Sequence, residues 1–451
     1  MKPQTLEKGT LKRTFHMAWP AIIESFFVAM TSFIDTLMVS SLGPDAVAAV
    51  GLTSQPRLMG LALFTALGVA SSAVIARRYG EGRRESANST LFTAVIFAVV
   101  ASLTISALFV FGADGIIRFC GSSDNTHAMA VKYLKIIMGG IFFQCMQMVI
   151  NSAQRGAGNT RITMTTNLIS NTLNITFNYL LIGGKLGFPA LGVRGAAIAT
   201  VLGSAVSFTI SVVSLFRRKQ FLGIPYIIKE KIRPSWEALR VLCKFSYSVF
   251  LEQLLMRIGF MATAIMAAKT GDASMAAHQV AMNVMAISFG FGDGLQSAAV
   301  ALIGRSLGQK KPEQAKAYGK ACQRFGVIIS VVLSIFYFLA ADWIMGLFFP
   351  GEAHIVEIGR HIMWMVILIV LFQIRQVIYM GCLRGAGDTL FTAIVASLSV
   401  TVLRTVVSYV FGFALHWGIV GVWMGIFADQ AGRFLASYFR FRSGKWTKIR
   451  V

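Results

Sequence analysis

Long apolar stretches run along this chain, and short polar breaks separate them. A helix needs about 20 residues to cross a hydrocarbon core of roughly 30 Å. Twelve stretches reach that length, at 14–40, 48–76, 88–112, 127–152, 160–182, 190–216, 241–268, 275–304, 318–341, 355–381, 388–414 and 418–439. Two features break the pattern inside them. Asp35 places a carboxylate in "TSFIDTLMVS" (31–40), and Asn167, Asn171, Asn174 and Asn178 recur every three or four residues in "NLISNTLNITFNYLL". That spacing lines the four amides along one helical face.

Composition removes the soluble alternatives. Of 451 residues, 55% are hydrophobic and 14% charged, and the mean hydropathy is +0.67, far outside the range of soluble domains. The formal charge of +23 would suit a nucleic-acid partner if it formed a patch, yet most of the 42 Lys and Arg fall at the termini and in the even-numbered breaks. Examples are "RRYGEGRR" (77–84), "RRK" (217–219) and "GQKKPEQAKAYGK" (308–320). By the positive-inside rule this predicts both termini in the cytoplasm, leaving no basic surface for nucleic acid. The first apolar run is too long for a signal-peptide core and lacks a small-residue cleavage site, so it is expected to stay. Cys120, Cys145, Cys243, Cys322 and Cys382 show no CxxC spacing, which argues against a zinc site or a disulfide framework.

The chain is written twice. "QRGAGNT" (154–160) returns as "LRGAGDT" (383–389), and residues 24–87 slide onto 252–315 without a gap. That register pairs Glu24 with Glu252, Arg77 with Arg305, Gly80 with Gly308 and Glu85 with Glu313. Six spans per half return the chain to the same side, so the halves have parallel topology, related by an axis along the membrane normal. The predicted organisation is a six-helix bundle over 1–216, a cytoplasmic linker over 217–240 and a second six-helix bundle over 241–451. Two facing bundles with a central cleft are the usual basis of alternating access, which favours a transporter.

Four stretches carry a resemblance to a known family. They are "WPAIIESFFVAMTSFIDTLMVSSLG" in the first span, "AAHQVAMN" (276–283), the "RGAGNT" and "RGAGDT" pair, and "GVRGAAIAT" (192–200). In these the chain resembles the multidrug and toxic compound extrusion (MATE) family of cation-coupled exporters over nearly its whole length. The resemblance implies an all-α integral membrane protein of twelve helices, two bundles forming a V-shaped central cleft. It implies exchange of inward H⁺ or Na⁺ for outward organic cations and drugs, with no cofactor and no enzymatic activity. Asp35 matches the family's cation-carrying aspartate, which would make it a metal ligand if Na⁺ is the coupling ion. Asn174 and Asn178 would stand beside it, with Thr200 adding a hydroxyl. Pro20 matches a proline that bends the first helix. A plasma membrane location, in a bacterial or archaeal inner membrane, follows, as does a monomer in contact with lipid.

Other readings of these residues stay open. Asp35 could snorkel from the outer end of its helix, and the asparagine stripe could be interhelical glue. Glu24 lies eleven residues before Asp35, within about 20° of whole turns and so on the same face. In the second half the register sets Thr263 opposite Asp35, and the positions where related transporters carry further acids hold Met256 and Gln373. Instead Glu252, Asp293 and Asp429 accompany Arg257, Arg375 and Arg404. These charges form either structural ion pairs or a second ion or substrate site. Some of the 21 Met and 35 Phe would line the cleft, where sulfur and aromatic groups tolerate varied apolar cations. No GxxxxGK[ST], HExxH or GxSxG occurs, which disfavours membrane catalysis. The principal rival is a flippase of lipid-linked sugars from the same superfamily, which should show a more cationic site.

Overall fold

In the computed structural model, residues 3–40, 42, 44–120, 124–217, 220–349 and 351–449 are described. Among them the secondary structure is entirely helical: α1 (Pro3–Ser40), α2 (Pro44–Gly80), α3 (Arg84–Phe111), the short α4 (Ala113–Phe119), α5 (Asp124–Gly139), α6 (Ile141–Gly156), α7 (Thr160–Gly183), α8 (Val193–Ser214), the short α9 (Ile224–Lys229), α10 (Trp236–Lys269), α11 (Asp272–Gly308), α12 (Pro312–Phe348), α13 (Ala353–Ala386), α14 (Thr389–Leu398), α15 (Arg404–Tyr409) and α16 (Gly418–Arg442). Among the described residues eight helical segments are long and apolar enough to cross a membrane, and nine if α5 and α6 count as one. α1, α7 and α16 have spanning length, at 38, 24 and 25 residues, without joining that set. In α7 and α16 the polar residues responsible are those of the clusters described below.

Two of the predicted spans are not simple rods. The fourth is bent by 45° between α5 and α6, where Gly139 and Gly140 follow one another. Gly140 packs so tightly on Val201 that a Cβ there would stand 2.4 Å from its methyl. The eleventh is interrupted by two π-helical turns, Ser399–Leu403 and Val410–Ala414. By contrast α1 runs unbroken through Pro20.

The chain divides into two units, Met1–Ser25 with Tyr247–Val451, and Phe26–Ser246. The divisions fall inside α1 and α10, the first helix of each repeat. Residues 220–235 of the connection pack on the second of these units. Arg84 donates to the carbonyls of Phe221 and Gln220 at 3.1 and 2.7 Å and stacks over Tyr226. Asn88 accepts from Gly223 N, and Ser235 N donates to Thr93. In the other unit α13 is the central post: Ile362, Val366, Ile369, Ile374, Ile378 and Cys382 are fully buried against α11, α12 and α16. Cys145 and Cys322 are likewise buried and free.

The duplication persists in three dimensions. A shift of 228 carries both ends of α2, Pro44 and Gly80, onto both ends of α11, Asp272 and Gly308. The repeated RGAG sequence has a physical reason. Its second glycine, Gly158 or Gly387, has φ of +87° or +94°, a conformation that glycine adopts without penalty. Its first glycine lets the backbones touch: a Cβ on Gly156 would stand 2.5 Å from Ser72 O, and one on Gly385 2.7 Å from Val300 O. Ser72 and Val300 are themselves repeat mates.

Candidate functional site

The polar stripe on α7 separates into two parts. Towards its start the amides and hydroxyls tie helices together: Gln147 donates to Asn167, Asn151 to Thr166 at 3.0 Å, and Ser211 to Asn151 at 2.9 Å. Further along, Asn174 and Asn178 are one helical turn apart and buried, at 6% and 2% exposure. They turn towards the half-buried Asp35 on α1. Asn178 Nδ2 donates to Asp35 Oδ1 at 2.7 Å. With its amide oriented to satisfy both ends, Asn174 donates to Asp35 Oδ1 at 2.9 Å and Oδ2 at 3.2 Å, and accepts from the Thr200 hydroxyl at 3.2 Å. Asn171 is not in this cluster by any hydrogen bond among the described residues. The structure thus brings together Asp35, Asn174, Asn178 and Thr200 from α1, α7 and α8, all within the Phe26–Ser246 unit.

The charge on this carboxylate is held by neutral donors. Among the described residues Asp35 has no ion pair within 4.0 Å. Arg57 of α2 and the buried Tyr133 of α5 are within electrostatic reach, while the Arg57 guanidinium donates to Gln144 Oε1 at 3.2 Å. Arg57, an arginine inside an apolar run, raises the same question as Asp35. Asn178 Oδ1 is buried and accepts no hydrogen bond from the described residues. An acceptor so placed suits a proton donor or a hard cation, which takes oxygen ligands. The side-chain oxygens gathered here are those of Asp35, Asn174, Asn178 and Thr200, and no group of three or more His, Cys, Asp or Glu side chains gathers among the described residues.

The second-half charges lie in the other unit and form two clusters. In the first, Arg384 of the RGAGDT sequence reaches Glu252 at 2.5 Å and Gln296 at 3.5 Å, and Gln296 donates to Asp293 at 3.0 Å. In the second, Asp429 lies 2.7 Å from Arg433 and 3.8 Å from Arg404. Of the three bases noted in the sequence, Arg404 joins one of these clusters. Arg257 makes no ion pair among the described residues, and Arg375 lies over the Phe434 ring at 4.5 Å. Gln373 is buried and Met256 partly so. Glu24 is buried at 8% exposure and Pro20 is buried one turn before it on α1, in this same unit.

A duplicated helical membrane protein, with a carboxylate among amides in one half and paired charges in the other, has the form of a transporter. The MatE family profile matches residues 20–180 and 249–410, once in each half, and the chain belongs to this family of multidrug and toxic compound extrusion transporters. It is similar to the "Probable multidrug resistance protein NorM" of Thermotoga maritima, with 27% identity over 440 residues, covering 98% of this chain and 94% of the relative. It is also similar to the "Uncharacterized transporter YisQ" of Bacillus subtilis, 26% identical over 432 residues, 96% of this chain and 94% of the relative. A solved structure described as the outward-facing conformation of a multidrug resistance MATE family transporter of the MOP superfamily superposes with a TM-score of 0.90 at 24% identity, covering 99% of both chains. At that identity the likeness establishes the fold. The protein is an all-helical, multi-pass membrane transporter.

Proposed function

We propose that this protein is a secondary active multidrug exporter that moves organic cations out of the cell in exchange for inward H⁺ or Na⁺, with Asp35 as the exchanging group. The observation that carries the reading is the setting of Asp35: a carboxylate inside a membrane helix, bonded to two amides and in no ion pair among the described residues. A charge there is costly, so an acid without a counterion marks an ion or substrate path. Charged, Asp35 binds an organic cation or Na⁺, and the amides orient its oxygens. Neutralised by a proton or by Na⁺, it has no electrostatic hold on the drug, which leaves to the exterior. The two ligands thereby compete for one group, which is the thermodynamic requirement for coupling. Pro20 is the proposed hinge of α1, because a proline within a helix removes one backbone hydrogen bond. Thr200 fixes the Asn174 amide, so its role is to position the donor. The protein acts as a monomer in the plasma membrane with both termini in the cytoplasm, and needs no cofactor.

The test is Asp35→Asn in proteoliposomes, with pH and Na⁺ gradients imposed separately and a fluorescent cation as cargo. The variant is expected to insert normally and to lose gradient-driven transport down to the leak rate, with the ion dependence of cargo affinity flattened. A labelled lipid-linked sugar in the same vesicles is expected to remain on its side. Wild-type pumping by Asp35→Asn, with unchanged ion dependence, would refute the proposal.

A further inference from the structure

The two halves use the same three helices in opposite ways. The first, fifth and sixth helices of one repeat, α1, α7 and α8, supply Asp35, Asn174 with Asn178, and Thr200. Their counterparts α10, α15 and α16 supply Thr263, Arg404 and Asp429. A shift of 228 carries Asp35 onto Thr263, and a shift of 229 carries Asn174 and Asn178 onto Leu403 and Val407, which flank Arg404. Where one half holds an acid among neutral donors, the other holds a base.

Arg404 is enclosed on every side. Its Nε donates to Thr263 Oγ1 at 2.9 Å, its Nη1 lies 3.8 Å from Asp429 Oδ2, and its Cζ stands 4.9 Å from the Phe260 ring centre. Thr263, Arg404 and Asp429 are 1%, 1% and 0% exposed. Charge balance alone does not call for it, because Arg433 already meets Asp429 at 2.7 Å. The fit is also looser than a two-bond guanidinium–carboxylate pair: Arg404 Nη1 and Asp429 Oδ1 have no hydrogen bond among the described residues. The backbone is reshaped around this side chain. A π turn ends at Leu403, another begins at Val410, and such turns concentrate at functional sites. α7 at the equivalent place is regular. Gly259 admits the first π turn, since a Cβ there would stand 2.3 Å from Val400 O.

We infer that Arg404 is a built-in cation, a guanidinium tethered in the position that the other half leaves to an exchangeable one, and that Asp429, Thr263 and Phe260 form a latent guanidinium site beneath it. Exchange is thereby confined to one half of the protein. This consequence rests on the proposed role of Asp35, whereas the site itself does not.

The first test is therefore independent of transport. Arg404→Ala empties the position, and free guanidinium can refill it. In purified Arg404→Ala protein, millimolar guanidinium chloride is expected to give a saturable rise in melting temperature, about 2–4 °C per tenfold excess over the dissociation constant. Urea, the uncharged isostere, and NaCl should give none. The parent protein and Arg404→Ala with Asp429→Asn should not respond. No guanidinium-specific rise, or an equal rise without Asp429, overturns the inference. Arg404→Met, which fills the volume without charge, provides the second check. If it folds and transports like the parent, Arg404 is a static occupant; if it folds and fails to transport, the guanidinium takes part in the cycle and the inference is wrong.

Discussion

Replacing Glu252 by glutamine separates a structural ion pair from a second ion site. Glu252 and Arg384 meet at 2.5 Å, and their side chains are only 3% and 10% exposed. Removing one partner of a buried pair costs about 3–5 kcal/mol, because the other charge is left uncompensated. Two features place this case at the lower end. A glutamine oxygen can still accept from Arg384, and Arg384 keeps its contact with Gln296 at 3.5 Å. A loss of about 3 kcal/mol corresponds to roughly two orders of magnitude in the folding equilibrium. The assay is thermal denaturation in detergent of the parent, Glu252→Gln, Arg384→Met and the double variant. Both single changes should lower the melting temperature, and the double variant should recover much of the loss, since removing a whole buried pair is often nearly neutral. A Glu252→Gln protein of parental stability, with ion coupling lost, would refute the structural reading and make Glu252 a second ion ligand.

Two further outcomes follow from the repeat. Gly385→Ala sets a methyl 2.7 Å from Val300 O, in a contact between two buried backbones that neither can relieve, so folded yield measured by size-exclusion chromatography should fall sharply while an exposed control such as Gly9→Ala, which meets nothing within 4 Å, leaves it unchanged. Single cysteines at Gly80 and Gly308, in a background lacking all five native cysteines, should react with an impermeant thiol reagent only from the cytoplasmic side; labelling from outside intact cells would overturn the assigned topology.

Much of the architecture was legible because the bilayer simplifies the problem. Every spanning backbone must satisfy its own hydrogen bonds, so apolar run length reads directly as helix. The repeat register was legible for a related reason: the glycines at 156 and 385 are required by backbone contacts that no other residue permits. Asp35, Asn174 and Asn178 were also visible, since a polar group in a lipid-crossing run is expensive and announces itself. Arg57, inside the apolar run at 48–76, carries the same signal.

What the chain alone determined is therefore the class of fold, its duplication and the residues too polar to be idle in a membrane. Partnership was decided only by the tertiary structure. The chain alone leaves the partner of Glu252 open, and the guanidinium that reaches it comes from 132 positions away, on α13. Asn178 meets Asp35 across 143 positions, and Arg404 meets Thr263 across 141. The 45° bend at Gly140 and the π turns around Arg404 were equally unreadable, because each depends on the helix packed beside it. Burial cost is a property of one residue and its solvent, so sequence reports it. Which buried charge neutralises which depends on distances between helices, and those exist only once the helices have packed.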